Sequence, residues 1–498
     1  MRRLTLALAC AISTPATASP KGVWLFDKAP SYPGVTMVQI DTTGPTPTGS
    51  VSTAWYGPIM MRNIVVRGDT VTFDLRNLND RDHPTRRWTA TFAKDRVRLT
   101  GQMWYATVTQ AGRRGTARDA RARAFRFTAL PPLGTVDGGN LAPTPPMGWS
   151  SWNKFGEHID DATIRAMADA MVTSGLARAG YRYINIDDGW QGTRDPQGRL
   201  RPNAKFPDMK ALTDYIHARG LKIGIYSSQG PKTCAGYEGS YGHVRQDAKA
   251  FADWGFDYLK YDLCSGEWFY ADADSVKRSY YEMGAALKAT GRPFLFSLCQ
   301  YGRFDVQTWG RSVGGHLWRT TGDITDDYAT MAEIGFDRNP KYAPAGPNGW
   351  NDPDMLEVGN GGMSDDAYRT HMTLWAMSAA PLIMGHDLRK TSPTALAILT
   401  DAQVIAIDQD RLGVQGKAVV KDGKTETWVK RLADGGAAVA LFNRGTAPAR
   451  MRFDPAVAGV ARVARVHDVW ADTDRAVEAA TVDVPAQGTI LLRVTSAG

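Results

Sequence analysis

Hydrophobic and polar residues change rhythm twice along this chain. Over residues 20–130 the period is two. Val71, Phe73 and Leu75 alternate with polar neighbours, as do Trp88, Ala90 and Phe92, the pattern of half-buried strands. Residues 103–110 and 124–130 read the same way. Short strands broken by Gly, Pro and Asp predict an N-terminal β-sandwich-like domain. Residues 131–146 carry proline and glycine without period and read as a linker.

From residue 147 to 408, strand-like runs alternate with helical ones. Asp160 or Asp161 can cap a helix whose Ile164, Met167 and Met171 share one stripe. Strands are predicted at 183–187, 222–226, 258–262, 294–299 and 317–320, with helices between them, one ending near Gly220 and another near Asp247 to Trp254. This alternation predicts parallel βα units, and acidic residues repeatedly end the strands. A (β/α)8 TIM barrel carries its chemistry there. A doubly wound open sheet is the alternative, but no glycine-rich phosphate loop follows any of these strands. Beyond residue 409 the rhythm returns to two. A strand at 427–432, a Gly435-Gly436 turn and a strand at 437–442 predict a hairpin. The last strand is expected at 489–494, which completes a C-terminal antiparallel β-sandwich domain over 409–498.

The outermost residues alter the cellular picture. Arg2-Arg3, an apolar run to Ile12 and the small-residue site Ala16-Thr17-Ala18 make residues 1–18 read as a secretory signal. A lipoprotein reading through Cys10 fits less well, because Ala7 stands where a leucine is expected. No later stretch is apolar enough to span a bilayer. The protein is therefore expected to be exported, to periplasm or medium, with no membrane partner once the signal is cleaved. Net charge is +8, partly from arginines crowded between Arg113 and Arg126. No nucleic-acid recognition motif accompanies them, so a solvated face is expected rather than a nucleic-acid surface. Beyond the signal three cysteines remain, Cys234, Cys264 and Cys299. Export permits a disulfide, and three thiols cannot all pair. Cys234–Cys264 is the pairing expected; three buried free thiols are the alternative.

Candidate chemistry gathers at the strand ends. In Tyr258-Leu-Lys-Tyr-Asp-Leu-Cys264, alternation puts Lys260 and Asp262 on one face. A lysine beside an aspartate favours the ionised carboxylate that a nucleophile requires. A second apolar strand ends in Trp318-Arg-Thr-Thr-Gly-Asp-Ile324, which supplies Arg319 and Asp323. Two carboxylates on two strand ends are the minimum equipment of a glycosidase. Asp187-Asp188 ends a third strand and can grip sugar hydroxyls, bind a cation or cap a helix. In Asn351-Asp-Pro-Asp354, Asp354 can accept from a ligand, or the segment simply makes an Asx turn. Trp149, Trp152, Trp190, Trp318 and Trp350 lie near these acids, and aromatic faces stack on sugars. The eight histidines show no metal-ligand spacing, and neither HExxH, paired CxxC nor Gly-x-Ser-x-Gly is present. No metal or cofactor is expected.

These motifs resemble those of the α-galactosidases and α-N-acetylgalactosaminidases of glycoside hydrolase family 27, the melibiases. The matching segments are Thr144-Pro-Pro-Met-Gly-Trp-Ser-Ser-Trp-Asn153, Ile186-Asp-Asp-Gly-Trp190, Lys232-Thr-Cys-Ala-Gly236, the Lys260–Asp262 and Arg319–Asp323 segments, and Gly349-Trp-Asn-Asp-Pro-Asp-Met355. The resemblance covers about residues 143–415. It implies a TIM barrel followed by a β domain and a reaction that retains anomeric configuration. Asp262 would be the nucleophile and Asp323 the acid and base. Asp187 and Asp188 would hold the O4 and O6 side of the sugar, Lys260 its hydroxyls, Arg319 and Gln300 the O2 side. Trp152, Tyr226 and Asp354 would line the pocket, and Cys234–Cys264 matches a disulfide of the family. Two departures stand out. Gln300 occupies a position where the family often has glutamate, and its bulk favours galactose over N-acetylgalactosamine. The β domain at 20–130 lies outside the basic two-domain pattern. An α-N-acetylgalactosaminidase, a β-L-arabinopyranosidase and a non-catalytic sugar-binding protein are the competing readings.

Overall fold

The computed structural model describes residues 19–26, 34–53, 58–76, 85–103, 106–122, 128–268, 270, 272–341 and 345–496. The signal reading at 1–18 and most of the strand expected at 124–130 lie outside the described residues. The chain divides into two compact units, Met1–Phe127 and Thr128–Gly498.

In the first unit nine strands form one antiparallel sheet. Its residues alternate as the sequence predicts, and Trp24, Val71, Phe73, Trp88, Phe92 and Leu99 fill one buried cluster. The two edge strands are Ile59–Met60 and Arg62–Arg67. Met61 alone separates them along the chain, and its amide donates to the Gly49 carbonyl at 2.9 Å. Edges joined by a single residue require the sheet to curl back on itself. The expected antiparallel domain is therefore one barrel-like sheet rather than two stacked layers.

The second unit begins with a parallel eight-stranded sheet. Its strands are Met147–Ser150, Tyr183–Asn185, Lys222–Ser228, Tyr258–Asp262, Leu295–Cys299, Leu317–Arg319, Trp350–Asp352 and Leu382–Met384. Each of the first six pairs with the next, and the eighth pairs with the first. The seventh meets the eighth through Leu356, whose amide donates to Ile383 and whose carbonyl accepts from Gly385. That contact closes a (β/α)8 barrel and excludes the open sheet. The Asp160 side chain accepts from the Thr163 amide at 2.7 Å and caps Asp161–Thr173, which buries Ile164, Met167, Ala168 and Met171. Among the described residues no helix is long and apolar enough to cross a membrane.

Residues 131–146 are not a free linker. Arg278 donates to the carbonyls of Leu130 and Pro131. Val136 bridges Val313, and Trp350 Nε1 donates to the Ala142 carbonyl at 2.9 Å. Ala142 packs with Tyr183, Tyr258, Leu295, Leu317 and Trp350, the first residues of five barrel strands. The segment forms a floor under the end opposite the chemistry.

After the barrel a six-stranded antiparallel sheet faces a two-stranded one, Ala449–Phe453 with Ala480–Val484. The predicted hairpin is present as Thr425–Arg431 with Ala437–Asn443. Alternation along Ala437–Asn443 serves two cores. Ala438, Ala440 and Phe442 join the barrel's cluster, while Ala437, Val439 and Leu441 join the sandwich's own. The helix Asp365–Met377 lies at this junction, buried from Tyr368 to Met377 apart from Arg369. Its backbone and hydroxyls bond outward to the β domain. Lys430 Nζ donates to the Ala376 carbonyl at 2.7 Å, Gly416 N to that of Met377 at 2.7 Å, and Trp470 Nε1 to Thr373 Oγ1 at 2.9 Å.

Candidate active site

A small polar pocket opens where the barrel strands end. Strands two, four and six deliver acids to it in the order the sequence suggests. Asp187 and Asp188 follow the second strand, Lys260 and Asp262 end the fourth, and Arg319 and Asp323 lie on and after the sixth. Trp152, Tyr226 and Asp354 line the pocket as well. The other tryptophans near the acids are core. Trp149 donates to the His386 carbonyl, Trp190 to that of Tyr226, and Trp318 to Asn351 Oδ1.

The two principal carboxylates occupy different environments. Asp262 is 3% exposed; the Asp323 side chain is 63% exposed. Burial pushes the Asp262 carboxyl above its ordinary range, and the Lys260 charge and the Tyr301 hydroxyl pull it back. Oδ1 of Asp262 accepts from the Leu263 amide at 2.7 Å and from Tyr301 Oη at 2.7 Å. Oδ2 accepts from Tyr226 Oη at 3.2 Å. The disulfide sulfurs of Cys264 and Cys234 lie 3.4 and 3.7 Å from Oδ1 and Oδ2, with no proton to give.

Lys260 Nζ pairs with Asp187 Oδ2 at 2.9 Å. Burial alone would lower the ammonium; Asp187 and Asp262 instead hold it well above its usual value. Lys260 therefore stays charged between two acids, Asp187 and Asp262. Replacing Lys260 by Met removes the cation, so the Asp262 carboxyl should ionise at higher pH. The acid limb of kcat/KM is expected to move up by about one pH unit or more; an unmoved limb would show that Lys260 does not govern Asp262.

Burial raises Asp188 to about 7, although the Ala235 amide donates to its Oδ2 at 2.8 Å. Ala235 sits beside Cys234, which is joined to Cys264 at the end of the fourth strand. The disulfide thus holds the loop that holds Asp188, and Cys299 is the buried free thiol. Arg319 is buried between two acids, 3.0 Å from Asp323 Oδ1 and 3.0 Å from Asp354 Oδ2. Asp354 also accepts from the Ile324 amide at 2.9 Å, while Asp352 makes the Asx turn by accepting from the Asp354 amide. The Asx turn is thus realised at Asp352, and Asp354 lines the pocket.

Gln300 is not brought into the pocket. It is fully buried, its Nε2 donating to the Arg319 carbonyl at 3.0 Å and its Oε1 accepting from the Arg303 amide at 2.6 Å. Its bulk therefore cannot select between sugars. The neighbouring Tyr301 faces the pocket instead, at a left-handed φ of 60°. Met355 is the other lining residue that sequence reasoning missed. Its place after Asp354 was a signal; nothing in the sequence marked Tyr301. Among the described residues, one group of metal-ligand type side chains converges, Cys234, Asp262 and Cys264. Its sulfurs are bonded to each other and offer no thiolate.

Comparison with known proteins agrees with this geometry. A family profile described as "Alpha galactosidase A" matches residues 144–410. Another, "Alpha galactosidase C-terminal beta sandwich domain", matches 422–494. An α-galactosidase of Cyamopsis tetragonoloba is 50% identical over 313 residues, 62% of this chain and 75% of that protein. One from Oryza sativa subsp. japonica is 44% identical over 379 residues, 75% of this chain and 86% of that one. The crystal structure of α-galactosidase I from Mortierella vinacea aligns with a TM-score of 0.68 at 35% identity, covering 72% of this chain and 99% of that one. With its barrel and its C-terminal sandwich both matched, this chain belongs to the α-galactosidase family of glycoside hydrolases, the melibiases.

Proposed function

We infer that this protein hydrolyses terminal α-D-galactosyl residues of oligo- or polysaccharides by double displacement through a covalent glycosyl-enzyme. The observation that carries the reading is the pairing of a buried, lysine-supported Asp262 with a rim carboxylate, Asp323, across one pocket. Asp262 attacks the anomeric carbon as Asp323 protonates the departing oxygen. Asp323 then takes a proton from water, which attacks the same carbon and frees the sugar with its configuration retained. Asp187, Asp188 and Lys260 bind the O4 and O6 side, Arg319 and Asp354 the opposite side, and Trp152 and Met355 give apolar walls. A pocket with its base inside the barrel accepts a chain end, which is exo action. The signal-like residues 1–18 support export before the enzyme meets its polymer.

Initial rates on 4-nitrophenyl α-galactoside, α-N-acetylgalactosaminide, β-L-arabinopyranoside and α-glucoside test the sugar. Proton NMR of the first-formed galactose tests the stereochemistry. Dominant turnover of the α-galactoside with α-galactose released first is expected. Preference for another glycoside would overturn the sugar assignment, and β-galactose released first would overturn the double displacement.

A further inference from the structure

The two oxygens of Asp262 are not equivalent. Oδ1 is held by two strong donors, the Leu263 amide and the Tyr301 hydroxyl, both at 2.7 Å. Oδ2 has the longer contact to Tyr226 at 3.2 Å. Tyr301 reaches Oδ1 only because its backbone is left-handed, with φ 60°, a conformation that a non-glycine residue adopts when its surroundings impose it. Gln300 supplies part of that constraint. Its amide spans from the Arg319 carbonyl to the Arg303 amide, and the Gly302 amide donates to the same Arg319 carbonyl at 2.9 Å. Gln300 thus fixes the turn, and Tyr301 projects from it onto the nucleophile.

We propose that Tyr301 is a positioning residue for the second half of the reaction, anchoring Oδ1 of Asp262 so that Oδ2 makes and breaks the bond to the sugar. The inference rests on the double-displacement reading. In the first step an Oδ2 lone pair forms the bond to the anomeric carbon. The aglycone oxygen leaves with the bonding pair and the Asp323 proton. Oδ1 becomes the carbonyl oxygen of a neutral ester. In the second step water loses a proton to Asp323 and attacks, and the pair of the C1–Oδ2 bond returns to the carboxylate. Donors on Oδ1 bind the carboxylate more strongly than the ester. They therefore help Asp262 to leave, while giving no such help when it attacks.

The test is Tyr301→Phe in the full chain, with Gln300→Met as a second variant that frees the turn without changing the pocket wall. On 4-nitrophenyl α-galactoside the activated leaving group makes the second step limiting. For Tyr301→Phe, kcat is expected to fall about tenfold and KM by a similar factor, leaving kcat/KM within about twofold of wild type. A burst of nitrophenol should precede the steady state, and added methanol, a competing acceptor, should raise turnover. Gln300→Met should move in the same direction by less. A fall in kcat/KM that matches the fall in kcat, with KM unchanged and no burst in either variant, would overturn the role of Tyr301. A wild-type enzyme that inverts configuration would refute the double-displacement reading itself, a result that can be told apart from the first.

Discussion

Asp262→Asn is expected to lower turnover of α-galactosides by about ten-thousand-fold or more, because a neutral amide cannot attack the anomeric carbon to form the ester. The fold should survive. Asparagine keeps the shape of the side chain, and its carbonyl oxygen can still accept from the Leu263 amide and the Tyr301 hydroxyl, which meet Oδ1 in the native site. The buried charge that is lost was one whose ionised form burial disfavours. Lys260 retains its pair with Asp187. Galactose should therefore still bind, measurable by calorimetry, to protein with native circular dichroism. Turnover within tenfold of wild type would mean that another carboxylate attacks, and would remove the basis of the proposed mechanism.

Asp323→Ala should be read against the leaving group. With an alkyl α-galactoside, whose departing oxygen needs a proton, kcat/KM is expected to fall about a hundred- to ten-thousand-fold. With the 4-nitrophenyl substrate the first step should be nearly spared, since nitrophenolate leaves unaided. Hydrolysis of the glycosyl-enzyme then lacks its base. Azide, which needs none, should restore turnover and give α-galactosyl azide. The exposed position of Asp323 makes this practicable, because removing it opens a route to the anomeric carbon from solvent. Arg319 keeps Asp354 as a partner, so the rest of the site should hold. Equal losses on both substrates, with no azide effect, would show that Asp323 binds sugar rather than transferring protons.

Most of this site was legible because a barrel strand has period two and ends at the chemistry. Lys260 and Asp262 had to share a face, and an acid after an apolar run had to lie at a strand mouth. Turns escape such rules. Gln300 and Tyr301 are adjacent, and Tyr301, with a left-handed backbone, is the one that faces the pocket. No periodicity predicts that reversal. Residues 131–146 misled for a related reason. Proline and glycine reported a lack of regular structure, but Arg278 and Trp350, distant in sequence, supply the contacts that fix the segment. In the first unit the alternating runs at 71–75 and 88–92 are strands, whereas 103–110 runs from the end of one strand, Arg96–Met103, into the next, Ala106–Gly115. Closure of the sheet depends on the one-residue joint at Met61, a fact of topology rather than pattern.

The crossover helix Asp365–Met377 bears on how such a protein can evolve. It leads into the eighth barrel strand, yet the β domain satisfies its last carbonyls and covers its outer side. Recombination that exchanged the C-terminal domain at the boundary after residue 408 would uncover buried side chains of that helix and leave the Ala376 and Met377 carbonyls without the Lys430 and Gly416 donors that now meet them. Barrel and sandwich thus share one core and exchange most safely as one piece. Diversification is left to the loops at the strand mouths, where the Gln300–Tyr301 turn shows how little sequence need change.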